Sequence, residues 1–303
     1  MTYKIPNLPS AKAYKEEIAD FWEIQALRNS GQYISKTQIS RIIATGLDEI
    51  EHEGIESEDD KLSSDLDDVL IEMQRRQDFT SGKYPFSFKK YSLKLDEEAS
   101  LFKDVYLYLL LSTRFNMKTA RMHNGIDGTL LFEELCAIVA SNYFGEGSES
   151  YIFGTANPGN FANKIGNLVH KIGEGKSFKN PNNNDPTKND DAVDIVAWRN
   201  FADKRIGKLI AFGQCKTGTT WQDSIRKLNP TDFCDNWFLE SPILSPLPLV
   251  FICDTLNEDF NFSTSQKGYL VFNRFRILEQ IEDNLGSIEN QIRSWLDGAI
   301  RQL

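Results

Sequence analysis

The sequence predicts a mixed α/β chain in two parts: a mainly helical part over residues 1–120 and, over residues 121–303, helices around a central sheet. Apolar residues recur at helical spacing through the first part, and short β-rich runs alternate with helical stretches through the second. A composition of 40% apolar and 26% charged residues is that of a folded chain with a sizeable core. Collagen-like, mucin-like and wholly disordered chains are excluded. Lys and Arg number 34 against 44 Asp and Glu, a formal charge of −10, so any contact with a polyanion must be local. No apolar run approaches the roughly 18 to 20 residues that cross a bilayer, and the first thirty positions are too charged for a secretion signal. A cytoplasmic protein with no membrane contact is expected.

In the first part, Tyr14, Ile18, Phe21 and Trp22 share one face of a helix over Tyr14–Leu27, which Gly31 ends. Ser35 and Gln38 stand at capping-box spacing, with Ile34 and Ile39 at the two staple positions, so a short helix is expected over Lys36–Ala44. Helix, turn and helix suit a helix-turn-helix that would present Lys36, Gln38 and Arg41 to DNA. Between Asp48 and Asp68 eleven acids face one lysine, Lys61, a solvated surface with no calcium-loop spacing. An apolar helix over Val105–Leu111 completes this part.

In the second part, Thr129 is expected to cap a helix over Leu130–Phe144 whose stripe is Phe132, Leu135, Cys136, Val139 and Tyr143. Phe161, Ile165, Leu168, Val169 and Ile172 mark another helix, followed by a Gly/Asn/Pro/Lys-rich loop over 173–189. Strands are expected at Val193–Trp198, Leu209–Gln214, Leu247–Cys253 and Tyr269–Phe272, and helices at Trp221–Leu228 and Leu278–Leu296. Four cysteines and three histidines are scattered, so neither a disulfide framework nor a structural zinc site is expected. Gly213–Gly218 imitates the start of a phosphate-binding loop, but Thr219 stands where the lysine is needed, so the chain is no ATPase. No Gly-x-Ser-x-Gly elbow or Ser/His/Asp set is visible.

The chemistry concentrates where two β runs flank residues 199–207. A turn centred near Asp203 and Lys204 sets Asp194 opposite Gln214, and strand alternation then places Gln214 and Lys216 on one face with Cys215 on the other. Phosphodiester hydrolysis needs a cation held by oxygens, a polarised water and a positive group near the developing charge. Asp194 offers a carboxylate, the Gln214 amide and the Cys215 carbonyl offer neutral oxygens, and Lys216 can orient or deprotonate water. Such an oxygen-rich set suits Mg²⁺, with Mn²⁺ as the alternative. A helix acid would complete it, and Glu133 lies nearer the apolar stripe than Glu134.

Phe132-Glu133, Asp194 and Gln214-Cys215-Lys216 resemble the PD-(D/E)xK, or restriction-endonuclease-like, superfamily, in its Mrr-like branch where glutamine replaces an acid. The resemblance covers about residues 122–275. It implies a restriction-endonuclease-like mixed sheet, a metal held by Glu133, Asp194 and the Cys215 carbonyl, and a catalytic set of Glu133, Asp194, Gln214 and Lys216. It further implies a Mg-dependent endonuclease acting on DNA, with RNA as the alternative, in bacterial restriction or antiphage defence. The long insertion between the helix and Asp194 departs from the pattern. Lys164, Lys171, Lys176, Lys179 and Lys188, with Arg226 after the motif, are the expected backbone-binding cations. Expected partners are DNA and a defence-system ATPase or helicase, in an oligomer or alone. The competing expectation is a catalytically inactive nuclease-fold module that binds nucleic acid or assembles a defence complex.

Overall fold

The computed structural model describes residues 3–10, 13–48, 58–157, 159–180, 192–219, 221, 227–256 and 267–303, with backbone alone over 45–48 and 58–65. Of the sequence expectations, Lys188, Arg226, the helix interior at 222–226 and the acids between Glu49 and Glu56 lie outside the described residues.

Helices α1 (Lys15–Arg28), α2 (Lys36–Asp48), α3 (Glu58–Phe79) and α4 (Leu101–Arg114) build the first part. A small antiparallel sheet, β1 (Ile34–Ser35), β2 (Phe86–Phe88) and β3 (Ser92–Leu95), runs in the order β1-β3-β2. The α2 start is as its sequence predicts. Ser35 N–H donates to Gln38 Oε1 at 2.8 Å, Gln38 N–H donates back to Ser35 Oγ at 3.3 Å, and Ile34 and Ile39 are buried. Helix α1 departs from the amphipathic expectation. It is buried from Glu16 to Leu27, all round, while Tyr14 stands exposed as its N-cap. Its acidic face is buried because Arg76 of α3, Arg114 of α4 and Arg274 from far along the chain neutralise Asp20 and Glu23.

Hairpin strands β4 (Met122–His123) and β5 (Ile126–Asp127) lead into α5 (Gly128–Phe144). Asp127, rather than Thr129, is its N-cap: the carboxylate accepts the Thr129 N–H at 2.9 Å and the Thr129 hydroxyl at 2.6 Å. A carboxylate two residues earlier outcompetes the hydroxyl for the free N–H groups. Tyr143 is exposed at the end of the stripe, its ring edge-on to Phe272. Then follow β6 (Ser148–Ile152), α6 (Phe161–Ile172), β7 (Ile195–Arg199), β8 (Ile210–Lys216), α7 (Pro230–Trp237), β9 (Leu247–Ile252), β10 (Leu270–Phe272), α8 (Arg274–Glu279) and α9 (Ile288–Ile300). The single helix expected over Leu278–Leu296 is two, α8 and α9, parted by a turn with Gly286 at φ 63°.

The five-stranded mixed sheet has the order β10-β9-β8-β7-β6, antiparallel over β6-β7-β8 and parallel over β8-β9-β10. Helix α7 lies in the crossover that the parallel β8-β9 pair requires. Alternation splits the sheet residues between two faces. Ile195, Ala197, Ala211, Leu249 and Phe251 join a core with α4, α5, α8 and α9, whereas Val196, Trp198, Ile210 and Phe212 join one with α6 and α7. The first of these cores is continuous from Tyr3 to Ala299, so it bridges the two parts of the chain. No helix among the described residues is long and apolar enough to cross a membrane.

Candidate active site

Strands β7 and β8 pair as Ile195↔Gly213, Val196↔Phe212, Ala197↔Ala211 and Trp198↔Ile210, and one further step of that register sets Asp194 opposite Gln214. The turn holds Lys204 at φ 55° and the Lys204 N–H on Phe201 O at 2.9 Å, where the sequence centres it. At the sheet end the ladder changes partner. Asp194 N–H still donates to Gly213 O at 2.8 Å, but the Cys215 N–H donates to Asp194 Oδ2 at 2.7 Å. Backbone pairing thereby fixes the carboxylate against the strand that carries Gln214 and Lys216. Gly213 allows the close packing of that strand: a Cβ there would sit 2.7 Å from Ile195 Cγ1.

Glu133 arrives from the first third of α5 and is 7% exposed, as is Asp194. Its Oε1 accepts the Thr155 hydroxyl at 2.8 Å and its Oε2 accepts the Ala156 N–H at 2.9 Å. The same turn serves Asp194, whose carbonyl oxygen accepts the Phe153 and Gly154 N–H groups at 2.8 and 2.7 Å. Gly154 leaves room for the Glu133 carboxylate, since a Cβ would fall 2.7 Å from Glu133 Oε2 and push it aside. Residues 153–156 therefore lock helix acid and strand acid into one unit. The neighbouring Glu134 turns elsewhere, to Gln291 of α9.

Lys164 belongs to this unit and not to an exposed nucleic-acid surface. It is 6% exposed, and its Nζ donates to Phe153 O at 3.0 Å and Gly154 O at 2.9 Å. The signal was present in the sequence: Phe161, Lys164, Ile165, Leu168 and Ile172 follow one helical stripe, so Lys164 shares the buried face. Lys171 is exposed. Lys176 is paired with Glu240, and Lys179 Nζ donates to Asp235 O at 3.1 Å. The first stretch of the Gly/Asn-rich loop is a fixed strap, bridged to the sheet-covering segment at Phe178↔Phe238 and tied by the Glu174 carboxylate to the N–H groups of Gly207, Lys208 and Ile243.

Asp194, Glu133 and Lys216 all act on the Cys215 thiol. Burial first, then Asp194 and Glu133, push the Cys215 thiol up to about 11, while a hydrogen bond with Cys136 and the Lys216 ammonium pull the other way. A thiol held protonated at neutral pH is no nucleophile, so Cys215 can contribute only its carbonyl. Each of the two carboxylates is buried, and a cation against either would offset that burial. Their oxygens, the Gln214 amide and the Cys215 carbonyl are hard donors of the kind Mg²⁺ prefers. Among the described residues no group of three or more His, Cys, Asp and Glu side chains gathers as a metal cluster, so such a cation would depend on neutral oxygens and water.

Lys4 carries no signal in the sequence. Its ammonium reaches Thr113 O, and a Cβ on Gly218, two residues past Lys216, would stand 3.2 Å from its Nζ. Burial, and then Arg114, lowers Lys4 to about 8.

No family model matches the sequence, and no curated protein matches it. Among solved structures the chain is similar to protein VC1899 from Vibrio cholerae at 11% identity and a TM-score of 0.22, over 97% of this chain and 58% of that one. A likeness of that size carries neither fold nor function.

Proposed function

We propose that the chain is a metal-dependent nuclease of the PD-(D/E)xK type that hydrolyses phosphodiester bonds in DNA, within bacterial restriction or antiphage defence. One observation carries the reading: the β7/β8 register puts Asp194 across from Gln214 while residues 153–156 bind both Asp194 and Glu133. Asp194, Glu133, the Gln214 amide and the Cys215 carbonyl would hold Mg²⁺ or Mn²⁺. The cation supplies a polarised water and charge neutralisation at the phosphate. The protein groups do the rest. Asp194 is oriented by the Cys215 N–H and Glu133 by Thr155 and Ala156, so neither carboxylate must be ordered when substrate binds. Lys216 presents its ammonium on the Gln214 face, where it stabilises the charge that develops on the attacked phosphate and steadies the attacking water. An amide at position 214 removes one negative charge from the metal set, so the substrate phosphate completes it.

The second reading, a nuclease-fold module that binds without cleaving, is favoured by one feature: both Glu133 oxygens already accept protein donors. Matched DNA and RNA panels with Mg²⁺, Mn²⁺ or chelator separate the two. Cleavage should require the cation and disappear in Asp194→Ala and Lys216→Ala proteins of unchanged melting temperature, by ~100-fold or more for a lost transition-state contact. Absence of cleavage under every divalent-metal condition leaves the binding module.

A further inference from the structure

The expected DNA-reading face of α2 is largely engaged within the protein. Gln38 is bonded to Ser35, and Lys36 Nζ sits 2.5 Å from Asp67 Oδ1 of α3. The hairpin beside it has a different character. Residues 79–95 hold four lysines and no acid, and residues 29–47 hold Lys36 and Arg41 and no acid, in a chain with 44 acids. Strands β2 and β3 close through a two-residue turn, with Lys89 N–H on Ser92 O at 2.9 Å and Ser92 N–H on Lys89 O at 3.2 Å. Its tip is Lys90 and Tyr91. Lys89, Lys90 and Tyr91 are all exposed, Tyr91 to 64%. Exposed Tyr33 lies alongside, with the Lys89 and Lys94 ammonium groups 5.7 and 6.0 Å from its ring centre. Lys94 is also paired with Glu97.

Two details fix the geometry of the tip. Lys90 is held at φ 54°, as a two-residue hairpin turn demands, so its side chain is carried at the apex of a defined turn. The tip is also fixed to the helical layer: Lys36 N–H donates to Tyr91 O at 2.8 Å, and β1 pairs with β3 at Ile34↔Leu93 and Ser35↔Ser92. Rigid, outward cations interleaved with aromatic rings suit a phosphate backbone, with a ring left over for a base or sugar. An acidic peptide would use the charges but not the rings.

We propose that the β2–β3 hairpin tip, through Lys89, Lys90 and Tyr91 with Tyr33 and Lys94 beside them, is a nucleic-acid-binding surface that grips the strand backbone independently of the Asp194/Lys216 site. Its choice of nucleic acid as occupant rests on the nuclease reading. The test uses the full chain with Asp194→Ala in chelator, so that binding is read without turnover, by fluorescence anisotropy on labelled duplex and single-stranded DNA between 50 and 200 mM salt. Lys89→Glu with Lys90→Glu should weaken both by tenfold or more and lower the salt slope by about two, at ~0.9 per duplex phosphate contact. Tyr91→Ala should weaken the single strand more than the duplex. Lys90→Gly suits the backbone, should keep the melting temperature, and should lower the slope by about one. Unchanged affinity and slope in the charge variants, or no DNA binding by the parent at 50 mM salt, overturns the proposal. So does displacement of DNA by polyglutamate at equal charge concentration, which would make the surface a peptide site. Hairpin-dependent binding without cleavage by the natural sequence would sink the nuclease reading alone, and cleavage accompanied by DNA binding indifferent to Lys89 and Lys90 would sink the hairpin alone.

Discussion

Gly154 and Lys164 carry no chemistry, yet both determine where the Glu133 carboxylate stands. Adding a methyl at position 154 meets the far end of the Glu133 side chain, a group that can swing away. Gly154→Ala should therefore cost stability by no more than about 1 kcal/mol, while under the proposed nuclease function displacing Glu133 should lower cleavage tenfold or more. A melting curve beside a cleavage assay checks this, and full activity in that variant would remove Glu133 from the site. Lys164→Met tests the other anchor. It removes two hydrogen bonds to Phe153 O and Gly154 O, so urea unfolding should show a loss of about 1 to 3 kcal/mol. Because Lys164 is buried, the salt slope of DNA binding should not change. A slope reduced by about one would return Lys164 to the binding surface. How much of this was legible differs residue by residue. The Asp194/Gln214 pairing was readable because a hairpin obeys a two-residue period about one centre, and the β runs on either side leave that centre little freedom. Lys164 was readable too, from its place in the α6 stripe, but its charge suggested solvent. The locking of Glu133 by residues 155–156 was not, since nothing in a turn of mixed composition announces which helix it will meet.

Among the elements, α1 shows most clearly what a single sequence conceals. Asp20 is made interior by Arg76, 56 positions away, Arg114, 94 away, and Arg274, 254 away. Long-range ion pairing has no period to detect. The cluster behaves unequally. Burial alone would raise the Asp20 carboxyl, but Arg274, Arg114 and Arg76 outweigh it and hold the group well below the usual carboxylate range. Burial raises Glu23, which instead accepts the Tyr84 and Tyr106 hydroxyls at 2.7 and 2.9 Å and an Arg76 N–H at 2.8 Å. Asp20 pairs with all three buried arginines; Arg76 keeps Glu23 and Glu72 and Arg114 keeps Glu17, but Arg274 loses its closest carboxylate, so Asp20→Asn should cost about 3 to 5 kcal/mol. Glu23→Gln keeps an acceptor and should cost about 1 kcal/mol. Because the folded Asp20 value is depressed, its stabilisation is complete above the unfolded value of ~3.9 and is lost as pH falls through the folded value. Urea midpoints from pH 7 down to pH 3 should accordingly fall less steeply in Asp20→Asn than in the parent. Equal slopes would mean that the arginines do not hold Asp20 ionised.

At the scale of the whole molecule, the helical part and the sheet are joined more closely than their sequences suggest. One hydrophobic core runs from Tyr3 through α1, α4 and α5 to the inner face of the sheet and on to α9. The ionic cluster crosses the same boundary: Asp20 on α1 takes both Arg274 on α8 and Arg114 on α4, and Arg76 on α3 reaches Thr255 just past β9. Trp295 on α9 packs edge-on to Tyr108 on α4 at 5.1 Å and donates its indole N–H to Arg121 O. A protein assembled this way should unfold as one unit rather than as two. Urea denaturation followed by near-ultraviolet and far-ultraviolet circular dichroism should give coincident transitions. Removing residues 1–120 should leave Arg274 without its carboxylate and the faces of α8 and α9 that met α4 in water, so that fragment should be insoluble or lack a cooperative transition. The consequence for the site is direct. Lys4 lies against Gly218, two residues past Lys216, so the β8 end is shaped partly by the first turn of the chain. A soluble, cooperatively folded 121–303 fragment with full cleavage would refute this dependence, and the helical part would then serve recognition alone.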